Sequence, residues 1–575
     1  MNKSRFKPRP LGAILLLFLA LSSLAQETQL PFVFEPDVKI AMQDGTRLAA
    51  NIFRPRGEGR FPVILTRTPY GKPGEKGGEA RRYTAAGYVM VVQDCRGRGK
   101  SEGVWDPFRY DAGDGYDTQE WVGRQPWCNG SIGTAGGSYL GWAQWATAPK
   151  HSGYLKTMVP TVPFGNSYDL AYNGGAFQLA LLMGWGAGVG GVTLAPDKIQ
   201  EALRYLPLRA FGDQFEKKVP YLNEWVAHRA YDDYWKARGM DYRCADVAVP
   251  VLNIGGWYDI FSKATLDLVT QVRATSLDRK VRRNQFAIIG PWTHHVGPEK
   301  VGELDFGPDA ALKAGEKQFE WFEYWLKDRE TGVQDWPAYY LFIMGENRWR
   351  GENEWPLKRT RFTSYYIHSA GRAASLKGDG AMGTTEPADE APDPFTYDGN
   401  NPVPSVGGNN LIGALAGPQD QSRVEEREDV LVYTTPALAE DLEVTGPVKL
   451  ILWAASSARD TDFTGKLVDV HPDGMAYNLC DGIVRAQYRN GMEKPALLEP
   501  GEATRLEVDL WVTSNVFRRG HRIRLEVSSS NFPRFDRNPN SGKPFGTDTE
   551  LLPARQTVFH DRNRPSHLVL PIVPR

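Results

Sequence analysis

Gly133-Thr134-Ala135-Gly136-Gly137-Ser138-Tyr139-Leu140-Gly141-Trp142 is the stretch that decides the fold. A β-prone run, Asn129-Gly130-Ser131-Ile132, precedes it, and Ala143-Gln144-Trp145-Ala146-Thr147-Ala148, which favours helix, follows it. A serine on a sharp strand-to-helix turn exposes its hydroxyl, and glycines surround such a turn because a Cβ would collide with neighbouring elements. The first N–H groups of the helix point at negative charge developing there. The pattern predicts a nucleophile elbow centred on Ser138.

The elbow departs by one position from the common G-x-S-x-G spacing. Gly136 and Ser138 fit that spacing, but Leu140 stands two residues after the serine and Gly141 comes one residue later. Because Gly-Gly-Ser is also common in plain loops, the stretch alone leaves a loop as the alternative.

Length, composition and charge limit the classes of protein that fit. A chain of 575 residues is too long for one hydrophobic core, which predicts two or three domains. The formal net charge of -1 argues against nucleic acid or an anionic membrane as the main partner. We expect a small-molecule partner, and a homo-oligomer is compatible with the sequence.

The N-terminus has the pattern of a secretory signal peptide. Four basic residues between Lys3 and Arg9 precede an apolar run from Leu11 to Leu21, and Ser23-Leu24-Ala25 offers a small-x-small cleavage site before Gln26. A membrane anchor is the alternative, but the apolar run is short for a span. We expect removal of residues 1–25 and a secreted or periplasmic mature protein without membrane attachment.

The four cysteines do not form a recognisable motif. Cys95, Cys128, Cys244 and Cys480 match no zinc or redox spacing. Cys95 closes one predicted strand and Cys128 precedes another, and those ends lie on opposite edges of a parallel sheet. We expect no disulfide framework, although export would permit one.

Short apolar runs alternate with helical patterns on both sides of a long interruption. The sequence predicts a hairpin at Asp44-Gly45, strands at 61–65, 88–93, 250–254 and 285–289, helices at 79–86, 111–122 and 261–273, and a long amphipathic helix carrying Phe319, Phe322, Trp325 and Leu326. Such alternation predicts a parallel sheet covered by helices on both faces. We expect this α/β domain in two parts, residues 26–160 and 247–354.

The interruption and the C-terminal part follow other patterns. Residues 161–246 hold aromatic-rich helical stretches at 177–185, 199–205 and 221–237 and no clear strand, which predicts a helical cap. Residues 372–429 are a long irregular crossing. Alternating runs at 430–433, 448–453, 505–510 and 523–527 predict an all-β domain of jelly-roll type over residues 355–575.

Two strand ends after Ser138 supply partners for a serine nucleophile. A serine hydroxyl needs a base, and the base needs an orienting carboxylate. Asp259 follows the strand ending at Ile254, and His294 follows the strand ending at Ile289. Catalytic groups in open parallel sheets gather at the carboxyl ends of strands, and the order Ser, Asp, His is that of an α/β-hydrolase.

Each partner has a less specific interpretation. Asp259 could cap the helix that begins near Phe261, and His294 could be an ordinary core histidine. His295 is the rival base, and the other seven histidines are given no role. The three residues at strand ends in this order favour a catalytic triad of Ser138, Asp259 and His294.

An acyl-transfer site also needs hydrogen-bond donors for the oxyanion. The backbone N–H of Tyr139, one residue past the nucleophile, is the first candidate. The second should come from the loop after the strand ending at Leu65, where Tyr70 lies in Thr-Pro-Tyr-Gly. Surface packing is the alternative for Tyr70.

Seven motifs along the chain carry a family resemblance. They are Arg67-Thr68-Pro69-Tyr70-Gly71-Lys72, Asp94-Cys95-Arg96-Gly97-Arg98-Gly99-Lys100-Ser101-Glu102-Gly103, Gly136-Gly137-Ser138-Tyr139-Leu140-Gly141, Gly256-Trp257-Tyr258-Asp259, Gly290-Pro291-Trp292-Thr293-His294, Ser457-Ala458-Arg459-Asp460-Thr461-Asp462-Phe463 and Phe517-Arg518-Arg519-Gly520-His521-Arg522. These motifs resemble those of the cocaine esterase/X-prolyl dipeptidyl-peptidase family, with which alpha-amino acid ester hydrolases and glutaryl-cephalosporin acylases are grouped. The resemblance covers nearly the whole mature chain, and it explains the leucine two residues after Ser138.

The resemblance implies a role for each site residue. Ser138 would be the nucleophile, His294 the base and Asp259 its orienter, while the Tyr70 hydroxyl and the Tyr139 N–H would form the oxyanion hole. Trp185 and Phe261 would line the acyl pocket, with core packing as their alternative. No metal or cofactor is required.

One departure limits the substrate. Amino-acid ester hydrolases hold the substrate amine with a carboxylate cluster, partly from an acidic run after the catalytic histidine. That region here reads Leu304-Asp305-Phe306-Gly307-Pro308, without paired acids. We therefore expect an exported serine hydrolase acting on acyl esters. A dipeptidyl-peptidase or acylase acting on amides is the alternative, and the rival from another class is a catalytically dead secreted binding protein.

Overall fold

A computed structural model describes residues 31–239, 243–412 and 415–575 of the chain. The predicted signal peptide and its cleavage site lie outside these residues. Within the described ranges, no helix is both long enough and apolar enough to cross a membrane.

The N-terminal half is organised around one ten-stranded sheet. Its strands are β1 (Phe32–Ala41), β2 (Arg47–Pro55), β3 (Phe61–Thr68), β4 (Val89–Asp94), β5 (Cys128–Gly137), β6 (Leu155–Thr161), β9 (Val251–Gly256), β10 (Gln285–Gly290), β13 (Tyr339–Ile343) and β14 (Arg348–Glu352), and two small hairpins are β7 (Tyr172–Asn173) with β8 (Ala176–Phe177) and β11 (Lys300–Val301) with β12 (Leu304–Asp305). The order is β1-β2-β4-β3-β5-β6-β9-β10-β13-β14. The seven strands from β4 to β13 in that order are parallel, and antiparallel strands close both edges.

The described residues form helices over the parallel sheet, in the cap and, for α12, in the C-terminal half. They are α1 (Ala80–Ala85), α2 (Asp111–Gly123), α3 (Tyr139–Thr147), α4 (Ser167–Ala171), α5 (Leu179–Leu181), α6 (Pro196–Leu203), α7 (Pro220–Ala227), α8 (Asp233–Lys236), α9 (Ser262–Thr275), α10 (Arg279–Arg283), α11 (Ala314–Lys327) and α12 (Ser422–Glu425), with 3-10 turns at Ala148–Lys150, Leu208–Gln214, Cys244–Asp246, Pro308–Ala310, Val333–Asp335 and Ala486–Tyr488 and a π-helical turn at Leu182–Ala187. The predicted α/β-hydrolase fold is confirmed.

Period-two alternation along the strands explains the two covered faces. Val63 and Leu65 pack with Val122 of α2, whereas Ile64, between them, packs with Phe322 of α11 on the opposite face. Both sets are buried, so these strands read as continuous apolar runs.

The structure differs from the sequence prediction just before the cap and within it. β6 extends to Thr161 and lies between β5 and β9, although no strand was predicted there. The stretch predicted as one helix over 221–237 is two short helices, α7 and α8, and Phe177 belongs to a small hairpin rather than to a helix. The cap is therefore helical but more broken than predicted.

The C-terminal half forms a second, twelve-stranded sheet. Its strands are β15 (Arg361–His368), β16 (Ala381–Gly383), β17 (Asp393–Tyr397), β18 (Leu431–Thr434), β19 (Leu442–Ser456), β20 (Asp462–Val470), β21 (Ala476–Arg485), β22 (Thr504–Phe517), β23 (Arg522–Ser528), β24 (Ala554–Asp561), β25 (Arg564–Pro565) and β26 (His567–Val573). The predicted boundary at residue 355 falls between β14 and β15. The β-rich domain is confirmed, and its jelly-roll arrangement stays a prediction.

The two halves pack directly against each other. Arg350 on β14 forms a bidentate ion pair with Glu443 on β19, and the Tyr258 hydroxyl donates to the backbone oxygen of Asn478 on β21. All four cysteines lie in the described residues, where they are buried and form no disulfide.

Candidate active site

Ser138 lies at the sharp turn between β5 and α3. Its backbone has φ 60° and ψ -123°, a left-handed conformation that is rare for a residue other than glycine. The Ser138 N–H donates to the Thr161 backbone oxygen at 2.9 Å. A Cβ on Gly141 would lie 2.9 Å from that oxygen, and one on Gly136 would lie 2.6 Å from the Leu140 Cβ. The glycines therefore allow the close approach that holds the strained serine in place.

Asp259 and His294 are in direct contact after neighbouring strands β9 and β10. Asp259 Oδ2 lies 2.6 Å from His294 Nδ1, and the Asp259 side chain is fully buried. Asp259 Oδ1 accepts the N–H of Phe261 at 2.9 Å, just before α9. One carboxylate thus makes both contacts, one with each oxygen. His295 is exposed, so the structure favours His294 over its rival.

The Tyr70 hydroxyl lies beside Ser138. It accepts a hydrogen bond from Trp185 Nε1 at 3.0 Å, although half of the Tyr70 surface is exposed. Burial of the hydroxyl raises the pKa of Tyr70, and hydrogen bonds with Trp185 and Ser138 oppose part of that rise. The phenol therefore stays protonated at neutral pH and can donate a hydrogen bond.

Tyr139 offers its backbone N–H at the first position of α3. The first N–H groups of a helix have no partner within the helix. The Tyr139 side chain is separately anchored, since its hydroxyl donates to Asp111 Oδ2 at 2.6 Å. Arg67 lies behind this pair, with its Nη1 donating to the Asp111 backbone oxygen at 2.8 Å. These buried contacts fix the start of α3, and thereby the position of the Tyr139 N–H.

Aromatic rings surround the elbow. The Phe261 ring lies 5.6 Å from the His294 ring and 4.9 Å from that of Phe164. The Trp185 ring, in the π-helical turn of the cap, is parallel to the Trp225 ring at 6.2 Å. Both predicted pocket residues thus belong to one aromatic cluster, which contacts the elbow helix and His294.

Two cavities open next to this cluster. One of about 590 Å³ is lined by Phe164 and Phe261 together with charged side chains that include Asp169 and Lys263. The other, of about 540 Å³, is lined by residues that include Gly137 at the elbow. Both are of the size that holds small organic ligands.

Comparison with known proteins identifies the family. Residues 44–296 match the X-Pro dipeptidyl-peptidase (S15 family), and residues 331–569 match the X-Pro dipeptidyl-peptidase C-terminal non-catalytic domain. The cocaine esterase of Rhodococcus sp. (strain MB1 Bresler) is 36% identical over 571 residues, which cover 94% of this chain and 98% of that protein. The chain belongs to the cocaine esterase/X-prolyl dipeptidyl-peptidase (S15) family. It is a serine hydrolase.

Solved structures show the same fold over nearly the whole S15 chain. An aminopeptidase from a marine-sediment archaeon, Thaumarchaeota archaeon, aligns with a TM-score of 0.84 at 25% identity, covering 95% of this chain and 97% of that one. An alpha-amino acid ester hydrolase aligns with a TM-score of 0.81 at 24% identity, and the alignment covers 94% of this chain and 97% of that one.

The C-terminal domain of this S15 hydrolase also contacts the loop after β9, which carries Asp259. Asn409 is fully buried, and its Nδ2 donates to the backbone oxygens of Trp257 and Asp259, both at 2.9 Å. The sequence analysis missed this positioning residue because it lies 150 residues along the chain in an irregular stretch. No local pattern connects it to Asp259.

Phe108 is a second residue that the sequence analysis missed. Its ring stacks on Tyr139 at 5.2 Å, and it also contacts Trp185 and Trp225. Phe108 has φ 71° in a loop before α2. A loop residue follows no strand or helix periodicity, so no pattern in the sequence singles out Phe108.

Proposed function

We propose that this hydrolase cleaves acyl esters through an acyl-enzyme formed on Ser138. Ser138 Oγ attacks the acyl carbonyl carbon while His294 Nε2 takes the hydroxyl proton. As the tetrahedral intermediate collapses, His294 returns that proton to the leaving oxygen, and the alcohol departs. Water then attacks the acyl-enzyme by the same route and releases the acid and free Ser138.

The short Asp259–His294 contact supports the base assignment. A carboxylate that accepts the Nδ1 proton fixes the tautomer in which Nε2 is the acceptor, and it stabilises the imidazolium that forms during attack. Because the carboxylate is fully buried and Oδ1 is held by Phe261 N–H, its orientation is fixed.

Two donors would stabilise the oxyanion. The Tyr139 N–H begins α3, where the helix dipole favours negative charge, and the Tyr70 hydroxyl adjoins Ser138. Trp185 Nε1 donates to the Tyr70 oxygen, which leaves the phenolic proton free to point at the substrate.

The acyl group would occupy the aromatic region beside His294. Trp185 and Phe261 are its proposed walls, and the cap that carries Trp185 would shield the reaction from water. Aromatic walls favour small apolar or aromatic acyl groups, so we expect p-nitrophenyl butyrate or benzoate to be turned over.

The observation that carries the proposal is the Asp259–His294 pair at 2.6 Å at the same sheet edge as the strained Ser138. The test is turnover of p-nitrophenyl esters by the purified chain. Ser138→Ala should lower kcat by about 10⁴-fold or more. Ser131→Ala, on the same strand but far from the turn, is the matched control and should keep the full rate. Equal rates in the two variants would refute the proposal.

Amide substrates are the second candidate, since the matched family descriptions are those of a dipeptidyl-peptidase. Asp305 is exposed, and its Oδ1 accepts the Gly307 N–H, so this region supplies no paired acids for a substrate amine. We therefore expect kcat/KM for the esters to exceed that for Gly-Pro-p-nitroanilide. The reverse order would identify a peptidase.

Export is proposed from the sequence pattern alone. Expression of the full chain in a bacterial host should give mature protein in the periplasm or medium, and N-terminal sequencing should read from Gln26. An N-terminus upstream of Gln26 on membrane-bound protein would indicate an uncleaved anchor instead.

A further inference from the structure

Three metal-binding side chains meet in the C-terminal domain. Asp469 lies near the end of β20, His471 directly follows that strand, and His521 directly precedes β23. One side-chain ligand atom from each can be chosen so that all three lie within 4.8 Å of one another. None of these residues takes part in the proposed hydrolysis.

The geometry within this cluster is close to that of a coordination sphere. His521 Nδ1 lies 2.8 Å from Asp469 Oδ1, and His471 Nε2 lies 3.9 Å from Asp469 Oδ2. The two imidazole rings are 4.4 Å apart. Ligand atoms around a tetrahedral zinc ion are roughly 3.4 Å apart, given bonds of about 2.1 Å. Because the chosen ligand atoms lie up to 4.8 Å apart, they would have to move by about 1 Å to enclose an ion.

The surroundings orient the ligands and leave a path from solvent. Asp469 is buried, and Asn515 Nδ2 donates to its Oδ2 at 3.1 Å, as outer-shell residues do around metal ligands. His471 is held in a tight turn, in which its N–H donates to the Met475 backbone oxygen. The side chains of His471 and His521 keep 30% and 13% of their surface exposed, so an ion can reach them.

We propose that Asp469, His471 and His521 bind one divalent transition-metal ion of the zinc type. Two imidazole nitrogens and one carboxylate oxygen suit Zn²⁺, Co²⁺ or Ni²⁺ and leave a position for water. The ion would take the place of the proton between His521 Nδ1 and Asp469. A neutral His521 would then carry its proton on Nε2, whereas a protonated His521 would release one proton to solvent. It would connect the end of β20, the turn after it and the start of β23.

The test uses the full mature chain with any affinity tag removed, stripped with a chelator and then titrated with ZnCl2. Calorimetry and competition with a chromophoric chelator should report one Zn²⁺ per chain, and Zn²⁺ should raise the apparent unfolding temperature. His471→Ala, in the partly exposed turn, should raise the zinc Kd by at least about tenfold. Even the loss of a residue that only hydrogen-bonds to a metal ligand weakens metal binding by about that much. Co²⁺ should give the visible absorption of a tetrahedral site, absent in that variant.

His228→Ala is the matched control. His228 Nδ1 also contacts a carboxylate, that of Asp232 at 2.6 Å, but it does not belong to the cluster. This variant should keep the wild-type stoichiometry and Kd. Absence of saturable Zn²⁺ binding to the wild type, or an unchanged Kd in His471→Ala, would overturn the proposal. His521→Asn provides a second ligand deletion, and His471→Ala decides the outcome if that variant does not fold.

Discussion

Asp259 has two tasks at the residue scale, one for each oxygen of its carboxylate. Oδ1 closes the turn before α9 through Phe261, and Oδ2 contacts His294. Closing the turn before the helix and contacting His294 are therefore not alternatives for Asp259. The hydrogen bond from Phe261 N–H to Oδ1 fixes the orientation of the carboxylate, so that Oδ2 faces His294.

Tyr70→Phe tests the side-chain donor of the oxyanion hole. The substitution removes a hydroxyl beside Ser138 and keeps the ring, so kcat should fall by roughly 10²–10³ while the apparent unfolding temperature changes little. Steady-state kinetics with a p-nitrophenyl ester measure the first effect, and scanning fluorimetry measures the second. A near-normal kcat would remove Tyr70 from the site.

Tyr139→Phe should give the opposite pattern. The variant keeps the backbone N–H that we propose as an oxyanion donor but loses the buried hydrogen bond from the phenol to Asp111. We expect a destabilisation of about 1–3 kcal/mol and a kcat within a few-fold of the wild type. Denaturant unfolding and ester turnover check the two parts. A hundredfold loss of kcat with unchanged stability would mean that the phenol itself acts on the substrate.

Residues that directly follow a strand could be predicted from the sequence. Residues that reach the same region from distant parts of the chain could not. Ser138, Asp259 and His294 were predictable because each lies just beyond a buried apolar run whose direction in a parallel sheet is known. Asn409 could not be predicted from the sequence, because its contact with Asp259 depends on how the two domains pack. Phe108 could not be predicted either, because loops carry no periodicity.

At the scale of elements, the loops after β9 and β10 approach closely because Gly256 has no side chain. A Cβ on Gly256 would lie 2.2 Å from the backbone oxygen of Trp292, two residues before His294. The two loops that carry Asp259 and His294 can approach each other because Gly256 has no Cβ.

Gly256→Ala should therefore separate these loops. We expect a loss of stability of about 1–3 kcal/mol from overpacking and a lower kcat, because the Asp259–His294 contact lengthens. Gly113→Ala is the matched control, since Gly113 is an exposed residue inside α2 with no atom near its added Cβ. It should be neutral or stabilise by about 0.5–1 kcal/mol, with full activity. Identical unfolding curves and rates for both variants would contradict this account.

Strand β6 shows why one central element escaped prediction. Its sequence, Leu-Lys-Thr-Met-Val-Pro-Thr, contains an exposed lysine and Pro160, which argues against a central strand. The proline is tolerated because β6 pairs with β9 only around Met158 and Thr161. Local propensity was outweighed by burial between β5 and β9.

At the scale of the whole molecule, a buried polar cluster ties together distant parts of the C-terminal domain. His560 on β24 is fully buried, with Nε2 2.9 Å from Asp393 Oδ2 on β17 and Nδ1 3.1 Å from Glu390 Oε2. The hydroxyls of Ser369 and Tyr433 also donate to Asp393. Burial alone would lower the pKa of His560, but the hydrogen bonds and charges of Asp393 and Glu390 outweigh it and raise the pKa above 6.5.

This cluster should make the stability depend on pH. A raised pKa in the folded state means that the stabilisation by His560 is complete below about pH 6.5 and is lost as pH rises through the folded-state pKa. Burial tends to raise the pKa of Asp393, but hydrogen bonds led by that from His560 hold it below 3.8, so the contribution of Asp393 is lost only as pH falls below about 4. The stabilisation should therefore be greatest between about pH 4 and 6.5.

His560→Gln measures that contribution. Removing one partner of a buried ion pair is expected to lower stability by about 3–5 kcal/mol, and the gap from the wild type should narrow toward about pH 9. Thermal unfolding of the wild type and the variant across this pH range measures the difference in their stability. His567→Gln, at a histidine whose Nδ1 contacts a backbone oxygen, should show no such trend. A gap that widens with pH would contradict the assignment.

Labelling with a fluorophosphonate, followed by peptide mapping, tests most directly whether residues 138, 259 and 294 converge on one reactive serine. We predict one adduct per chain, on Ser138, that is lost in His294→Ala and retained in His295→Ala. An adduct on another residue, no adduct on the active wild type, or equal labelling of the two histidine variants would contradict the account.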